Sequence, residues 1–430
     1  GHFEQAEDLY RAALWFSQAG KQAYEAYASE AAVKYFTKAL QFARQAGVPQ
    51  TEMMDWYETL GKALFALMRY EAALAAYQEM RTLADGMASV NGWARAWYHI
   101  AYVHDHLGNN SLSLESAENA LRLADQGAEP ELLIRAVYGK GWALYRLGDA
   151  NSAINLGEIA LRLARNLANS ITAQREMAQA CQLLGAAHEL RGNLKKSGEY
   201  EQRALDLFRD LRDRRGEAAM LNNQGVGAFI RGDYQAAIAK YEAALQIARQ
   251  IGSYDRISMF LSNLGGARAA LGEFSAAEAD LRQAIDSLGG QTTHYLPLTY
   301  VFLAEALLGQ EKCESACEAA QLGLRLAQES NQPDVISSAY RVLGDCLCKR
   351  LSRGLESLAP LTPVACYQES LRIAEGIHSE VDQARTLKAW AVYERRYGNP
   401  ARAEALRAEA LTLFKKLGMD LEAARLLRTE

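Results

Sequence analysis

A small side chain returns about every 40 positions along this chain. It stands at Gly20, Gly61, Ala101, Gly141, Gly185, Gly225, Gly265, Ala304, Gly344 and Ala391, at successive spacings of 41, 40, 40, 44, 40, 40, 39, 40 and 47. A second small residue follows twelve positions after most of them, at Ala32, Ala73, Ser113, Ala153, Ser197, Ala237, Ala277, Ala316 and Ala403. A fixed period of this length, sustained from end to end, means a stacked array of one supersecondary unit.

The stretch 221–252, LNNQGVGAFIRGDYQAAIAKYEAALQIARQIG, shows what that unit is. Gly225 marks a place where two helices must approach closely. The turn is Arg231-Gly232-Asp233, where Gly ends one helix and Asp caps the next. Beyond it Ala237, Tyr241 and Ala244 recur at i, i+4 and i+7, which is one face of a helix. The unit is a helix, a tight turn and a second helix.

Leu221, Gly225, Ala237, Tyr241 and Ala244, and again Leu264, Gly265, Ala277 and Ala284, carry a resemblance to the tetratricopeptide repeat. Its usual unit is about 34 residues; here about six more lengthen each helix by roughly one turn. The chain is therefore similar to the long-helix subclass, which includes Leu-Gly-Asn-repeat scaffolds, Gram-positive peptide-pheromone regulators and the repeat arms of bacterial signalling (STAND-type) ATPases. The resemblance implies an all-α, right-handed superhelical solenoid of about ten repeats with a C-terminal capping helix. The expected repeats run 3–47, 50–87, 91–127, 130–168, 172–212, 215–252, 255–289, 294–331, 334–376 and 380–418, with a cap at 420–430, so that 1–430 is one solenoid. The first unit departs most from the pattern, and its wording AGKQAYEAYASEAAVKYFTKALQFA is similar to the junction after an ATPase core.

Composition agrees with helices throughout. Half of the residues are hydrophobic, and only seven are proline. Pro49, Pro130, Pro297 and Pro333 fall between units, and Pro400 falls at a helix start, where its missing N–H is harmless. Two places break the period. Extra residues lie at 167–175, and LSRGLESLAPLT at 351–362 separates the two helices of the ninth unit. That insertion reads as a tolerated loop or as a docking loop. At the end, Leu421, Ala424 and Leu427 form an apolar face expected to cover the last unit.

A net charge of −5 without long runs argues against a nucleic-acid partner. No apolar run approaches the ~20 residues of a membrane span, and no secretory leader is evident. Six cysteines do not make a disulfide framework. A cytoplasmic protein is expected. The opening Gly-His, without an initiator Met, suggests a fragment of a longer polypeptide with further domains attached.

Catalytic motifs are missing. There is no GxxxxGK[ST] loop, no HExxH and no nucleophile elbow, so neither an enzyme nor a cofactor is expected. Cys313, Cys317, Cys346, Cys348 and Cys366 could gather thiols on adjacent helices, but their spacing is not that of a zinc site, and buried packing is the simpler reading. His99, His104 and His106 cluster with only Asp105 as a local fourth ligand, and read as partly exposed groove residues rather than metal ligands.

The resemblance implies that first helices line the concave wall and that ligands bind there. Counting the small residue as position 8, positions 2, 5, 9, 12 and 13, with 6 nearby, form the inward stripe. The third unit then presents Arg95, Tyr98, His99, Tyr102 and His106. The fourth presents Arg135, Tyr138, Trp142, Tyr145 and Arg146. Asn222, Asn223, Phe229 and Asn263 follow, and the last unit adds Arg385, Lys388, Arg395 and Arg396. Tyr, Trp and Arg are the usual anchors of interfaces. Asn can take both the N–H and the C=O of an extended peptide, as the pheromone regulators and Leu-Gly-Asn scaffolds are expected to do, although most units here lack it. The same residues could instead pack between units, and the basic stripe of the last unit reads as a solvated face.

Two readings of function remain. In one, the chain is the sensor arm of a cytoplasmic regulator that binds a protein segment, a peptide or a small effector and responds by a change of curvature. In the other, it is a passive scaffold for complex assembly.

Overall fold

Several first helices leave a gap at their small residue that one large side chain of the partner helix fills. A Cβ added to Gly225 would lie 2.5 Å from the ring of Tyr241, and one on Gly265 would lie 2.5 Å from Leu281. Gly20 meets Phe36 and Gly61 meets Tyr77 in the same way, always sixteen positions on. In the ninth unit, which carries the insertion, Gly344 meets Tyr367 instead. Tyr241, Tyr367 and Leu281 are among the largest fully buried side chains, and burying one such group contributes roughly 1.5–3 kcal/mol.

The computed structural model describes residues 2–167, 170–354 and 361–428. They form helices paired in chain order: α1 (His2–Glu25) with α2 (Ser29–Ala46), α3 (Gln50–Ala66) with α4 (Tyr70–Met87), α5 (Val90–His106) with α6 (Asn110–Ala124), α7 (Pro130–Arg146) with α8 (Ala150–Asn166), and α9 (Ile171–Leu190) with α10 (Leu194–Asp210). Then come α11 (Arg214–Ile230) with α12 (Tyr234–Gln250), α13 (Tyr254–Leu271) with α14 (Phe274–Ser287), α15 (Leu296–Gly309) with α16 (Cys313–Glu329), α17 (Pro333–Leu351) with α18 (Pro363–Gly376), α19 (Glu380–Tyr397) with α20 (Pro400–Lys416), and a last helix, α21 (Asp420–Arg428). Among the described residues there is no strand. Each helix packs on the next, and each first helix also packs on the first helix two elements on. The result is a solenoid of helix pairs.

The local signals act as their chemistry requires. At Gly232 the backbone takes φ +80°, and the side chain of Asp233 accepts from the Ala236 N–H at 3.1 Å. Pro130, Pro333, Pro363 and Pro400 open α7, α17, α18 and α20. Residues 355–360 of the 351–362 insertion lie outside the described residues, and with them the choice between tolerated loop and docking loop.

The coil also closes on itself. The His294 N–H donates to the His106 carbonyl at 3.1 Å, and Asn110 Nδ2 donates to the Ser330 carbonyl at 3.3 Å. These join the third unit to the eighth. Leu288, Tyr295 and Leu296 belong to the apolar cluster of the first three units. Farther along, Tyr234 of the sixth unit donates to Glu422 of α21 at 2.9 Å, and Arg425 donates to the Gly232 carbonyl at 2.9 Å. Units about five apart thus touch, and successive turns of the superhelix meet edge to edge along a seam.

The closing helix differs from its expected orientation. Glu422, Ala423 and Leu426 are buried, whereas Leu421 and Leu427 stay 47% and 51% exposed. The rotation places Glu422 and Arg425 on the seam, where they find Tyr234, Lys388 and Gly232. Three polar contacts outweigh the burial of two leucines at a helix end.

Candidate ligand cavity

Because the turns close on each other, the concave wall encloses a space rather than an open groove. It is a cavity of about 2100 Å³ lined mainly by the first helices α5, α7, α9, α11, α13, α15, α17 and α19. This is roughly twice the upper range of ordinary small-molecule sites, about 300–1,000 Å³.

One sector is aromatic. Tyr98, Tyr102, Tyr138, Trp142 and Tyr145 line it together with Arg146. The Trp142 ring meets Tyr138 at 6.1 Å and Tyr145 at 5.1 Å, both edge to face. Arg146 lies 5.7 Å from the Trp142 ring centroid and 5.6 Å from that of Tyr145, within cation–π range. Its Nε donates to Asp105 at 2.9 Å. Burial raises the phenols of Tyr138 and Tyr145 well above the ordinary range, so both stay neutral donors.

A second sector is amide-lined. Asn222, Asn223 and Asn263 all face the cavity. Asn263 Nδ2 donates to Asn222 Oδ1 at 2.8 Å, which links α11 to α13.

Three expected wall residues go elsewhere. Arg95, His99 and Arg135 are not on the cavity lining. Arg95 Nε donates to Glu58 at 2.7 Å and its Nη2 to Asp55 at 2.6 Å. His99 is 8% exposed, not a partly exposed groove residue; its Nε2 lies 3.1 Å from Glu58 and its ring stacks on Tyr77 at 4.8 Å. Burial pushes the His99 imidazole down to about 4. Burial alone would raise Glu58, but the His99 contact and the charges of Lys62 and Arg95 hold it well below the usual carboxylate range. Arg135 donates to buried Glu176 at 2.8 Å. The physical reason is common to all three. In these two units they turn toward the neighbouring first helix, where Glu58 meets Arg95 and His99, and Glu176 meets Arg135.

The basic stripe of the last unit is only partly solvated. Arg395 and Arg396 are exposed, but Lys388 donates to buried Glu422 at 2.7 Å and Arg385 lies 5.2 Å from the Phe229 ring. Cys313, Cys317, Cys346 and Cys366 are buried, and Cys348 is half-buried. Among the described residues no group of three or more His, Cys, Asp or Glu side chains is placed to hold a metal ion. Sequence reasoning missed Arg256, His294 and Tyr295, which join the cavity wall from across a seam. Nothing in the forty-residue period points to them.

The fold and this enclosed wall define a helical-repeat solenoid with an inner cavity. Tetratricopeptide-repeat family models match residues 94–126 and 216–288; the chain carries tetratricopeptide repeats. No curated protein matches it. Among solved structures, a Rap protein complexed with Competence and Sporulation Factor is similar over 85% of this chain and 99% of its own, with a TM-score of 0.63 and 15% identity. The Rap conjugation gene regulator of the plasmid pLS20, in complex with the Phr* peptide, covers 83% of this chain and 96% of its own, at 0.55 and 15%. A STAND protein with a tetratricopeptide-repeat sensor from Pyrococcus horikoshii covers 92% of this chain and 54% of its own, at 0.46 and 12%. At these identities the first two likenesses establish the fold, and the third adds nothing to that. Among the described residues no helix is long and apolar enough to cross a membrane.

Proposed function

We propose that this chain is a regulatory binding module that takes a peptide or protein segment into its inner cavity. The observation that carries this is the sector of Tyr98, Tyr102, Tyr138, Trp142 and Tyr145 with Arg146, held inside an enclosed wall. Aromatic anchors with polar tips, shielded from water, are what a recognition site needs. The size of the cavity favours a chain segment over a compact cofactor. Two proteins of the same fold were solved with a peptide or a factor bound, which agrees with this reading. Residues 1–430 would act as one repeat body, working in the cytoplasm on a domain or partner outside it.

Free bending of nearest-neighbour units is not the mechanism that this geometry favours. A segment that contacts the turns on both sides of a seam biases that seam between open and closed states. The test is retention of a pooled, fluorescein-labelled peptide library by the whole chain. A Trp142→Ala, Tyr102→Ala double variant is expected to lose retention while keeping its helical circular dichroism. Undiminished retention by that variant would remove this site.

A further inference from the structure

Two arginines on the cavity wall, Arg256 and Arg385, each keep a buried guanidinium nitrogen without a hydrogen-bond partner. Several charged groups on the wall are matched: Arg146 by Asp105, Arg341 by Glu305, and Lys388 and Arg425 by Glu422. Arg191, Lys195, Lys196, Arg231 and Arg396 on the same wall are exposed, whereas Arg256 on α13 and Arg385 on α19 are partly withdrawn from solvent. Arg256 is 16% exposed and has Asp255 as its nearest acid, at 4.0 Å. Both oxygens of that acid are already engaged, by Arg215 and by Ser253, and Arg256 Nε is buried without a hydrogen-bond partner. Arg385 Nη2 is also buried without a partner, against the face of Phe229. Leaving a buried charged donor unpaired is costly, and a ligand that supplies an anion at each place removes that cost.

Their spacing is set by the helices. Asn263 lies seven residues beyond Arg256 on α13, and Phe229 lies seven residues beyond Asn222 on α11. At 1.5 Å per residue each step is about 10 Å. The Asn222–Asn263 hydrogen bond joins the two steps side by side. Arg256 and the Phe229–Arg385 pair therefore stand about 20 Å apart, with the three asparagines midway. An extended chain advances about 3.3 Å per residue, so six steps span the gap.

We infer that the segment bound in this cavity is an acidic peptide, extended across the wall. One carboxylate lies on Arg256, a second about six residues away lies on Arg385, and backbone amides between them meet Asn223 and Asn263. This rests on the peptide-binding reading given above and specifies its ligand.

The test uses the full chain and three arrayed series of seven-residue peptides with five varied central positions, carrying aspartate, asparagine or lysine at both ends. The aspartate series is expected to be retained about tenfold or more over the asparagine series, and to weaken as salt is raised. Arg256→Gln and Arg385→Gln should each lower retention about tenfold, while Arg256→Lys and Arg385→Lys, which restore the charge, recover part of it. Equal retention of the asparagine or lysine series, or Gln variants that bind like the parent, overturns the acidic assignment. If those series are retained and Trp142→Ala abolishes it, the peptide-binding reading survives alone. Retention of no series overturns both.

Discussion

Tyr234 and Glu422 lie 188 positions apart, yet the phenol of one donates to the carboxylate of the other at 2.9 Å. Glu422 also takes Lys388 at 2.7 Å, and Arg425 in the same helix turn. Burial would raise this carboxyl, but the neighbouring cations bring it down to about 2. The last helix is thus a clasp between two turns of the coil as well as a cover for the final unit. Solenoids are ordinarily held by nearest-neighbour interfaces alone; here a longer-range contact joins them.

Removing the clasp should be felt at both of its ends. Glu422→Ala leaves Lys388, Arg425 and the Tyr234 hydroxyl without their partner. A loss of about 3 kcal/mol is expected, typical for breaking a buried pair from one side. Hydrogen exchange checks it: α21, α19 and the start of α12 should lose protection together, whereas α3 and α4 should not.

Acid should loosen the other seam. Burial pushes His106 down to about 4, with Arg146 and Arg256 acting in the same direction and Asp105 and Asp255 against it. His294 lies well below its ordinary value, through burial and then Arg146, with Asp105 opposing. Both imidazoles are neutral when folded and gain protons only on opening. Stability is therefore full above about pH 6.5 and falls as pH drops from there towards 4. His106 alone should account for roughly 2 kcal/mol at pH 5. Urea unfolding between pH 7 and pH 5 measures this, and His106→Gln should flatten the dependence.

The close approach at the template unit has no slack. Gly225→Ala would force its new methyl to within 2.5 Å of the Tyr241 ring, which is fully enclosed. Overpacking of this kind costs about 1–3 kcal/mol. Urea denaturation should show that loss, and Tyr241→Leu in the same chain should recover part of it by making room.

Between the second and third units, Glu58 is shared by Lys62, Arg95 and His99. Glu58→Ala should cost about 3–5 kcal/mol, because two cations lose a buried counter-charge. Peptide retention in the cavity should change far less, since none of these residues is on its lining. Thermal unfolding and the peptide assay together separate the two effects.

The repeat, the helix pairs and the sites of close helix approach were all legible in the amino-acid sequence. Gly61 with Tyr77 and Gly225 with Tyr241 are local pairs sixteen residues apart, and helical periodicity determines which faces meet. So too were Tyr98, Tyr102, Tyr138, Trp142, Tyr145, Arg146 and Asn222 as wall residues, because positions 5, 9, 12 and 13 project inward, with Asn223 and Asn263 beside them at position 6. Arg95, His99 and Arg135 were not separable from them by pattern. Their direction depends on Glu58 and Glu176, which stand on neighbouring helices.

The seam was beyond reach of the period altogether. Whether the third unit meets the eighth, and Tyr234 meets Glu422, depends on small rotations summed over about five successive interfaces, and no local signal encodes that sum. Only the folded coil decides that the wall curves into a cavity, that Arg256 and Arg385 each keep a buried N–H unsatisfied on it, and that the last helix turns Glu422 inward and leaves Leu421 in water.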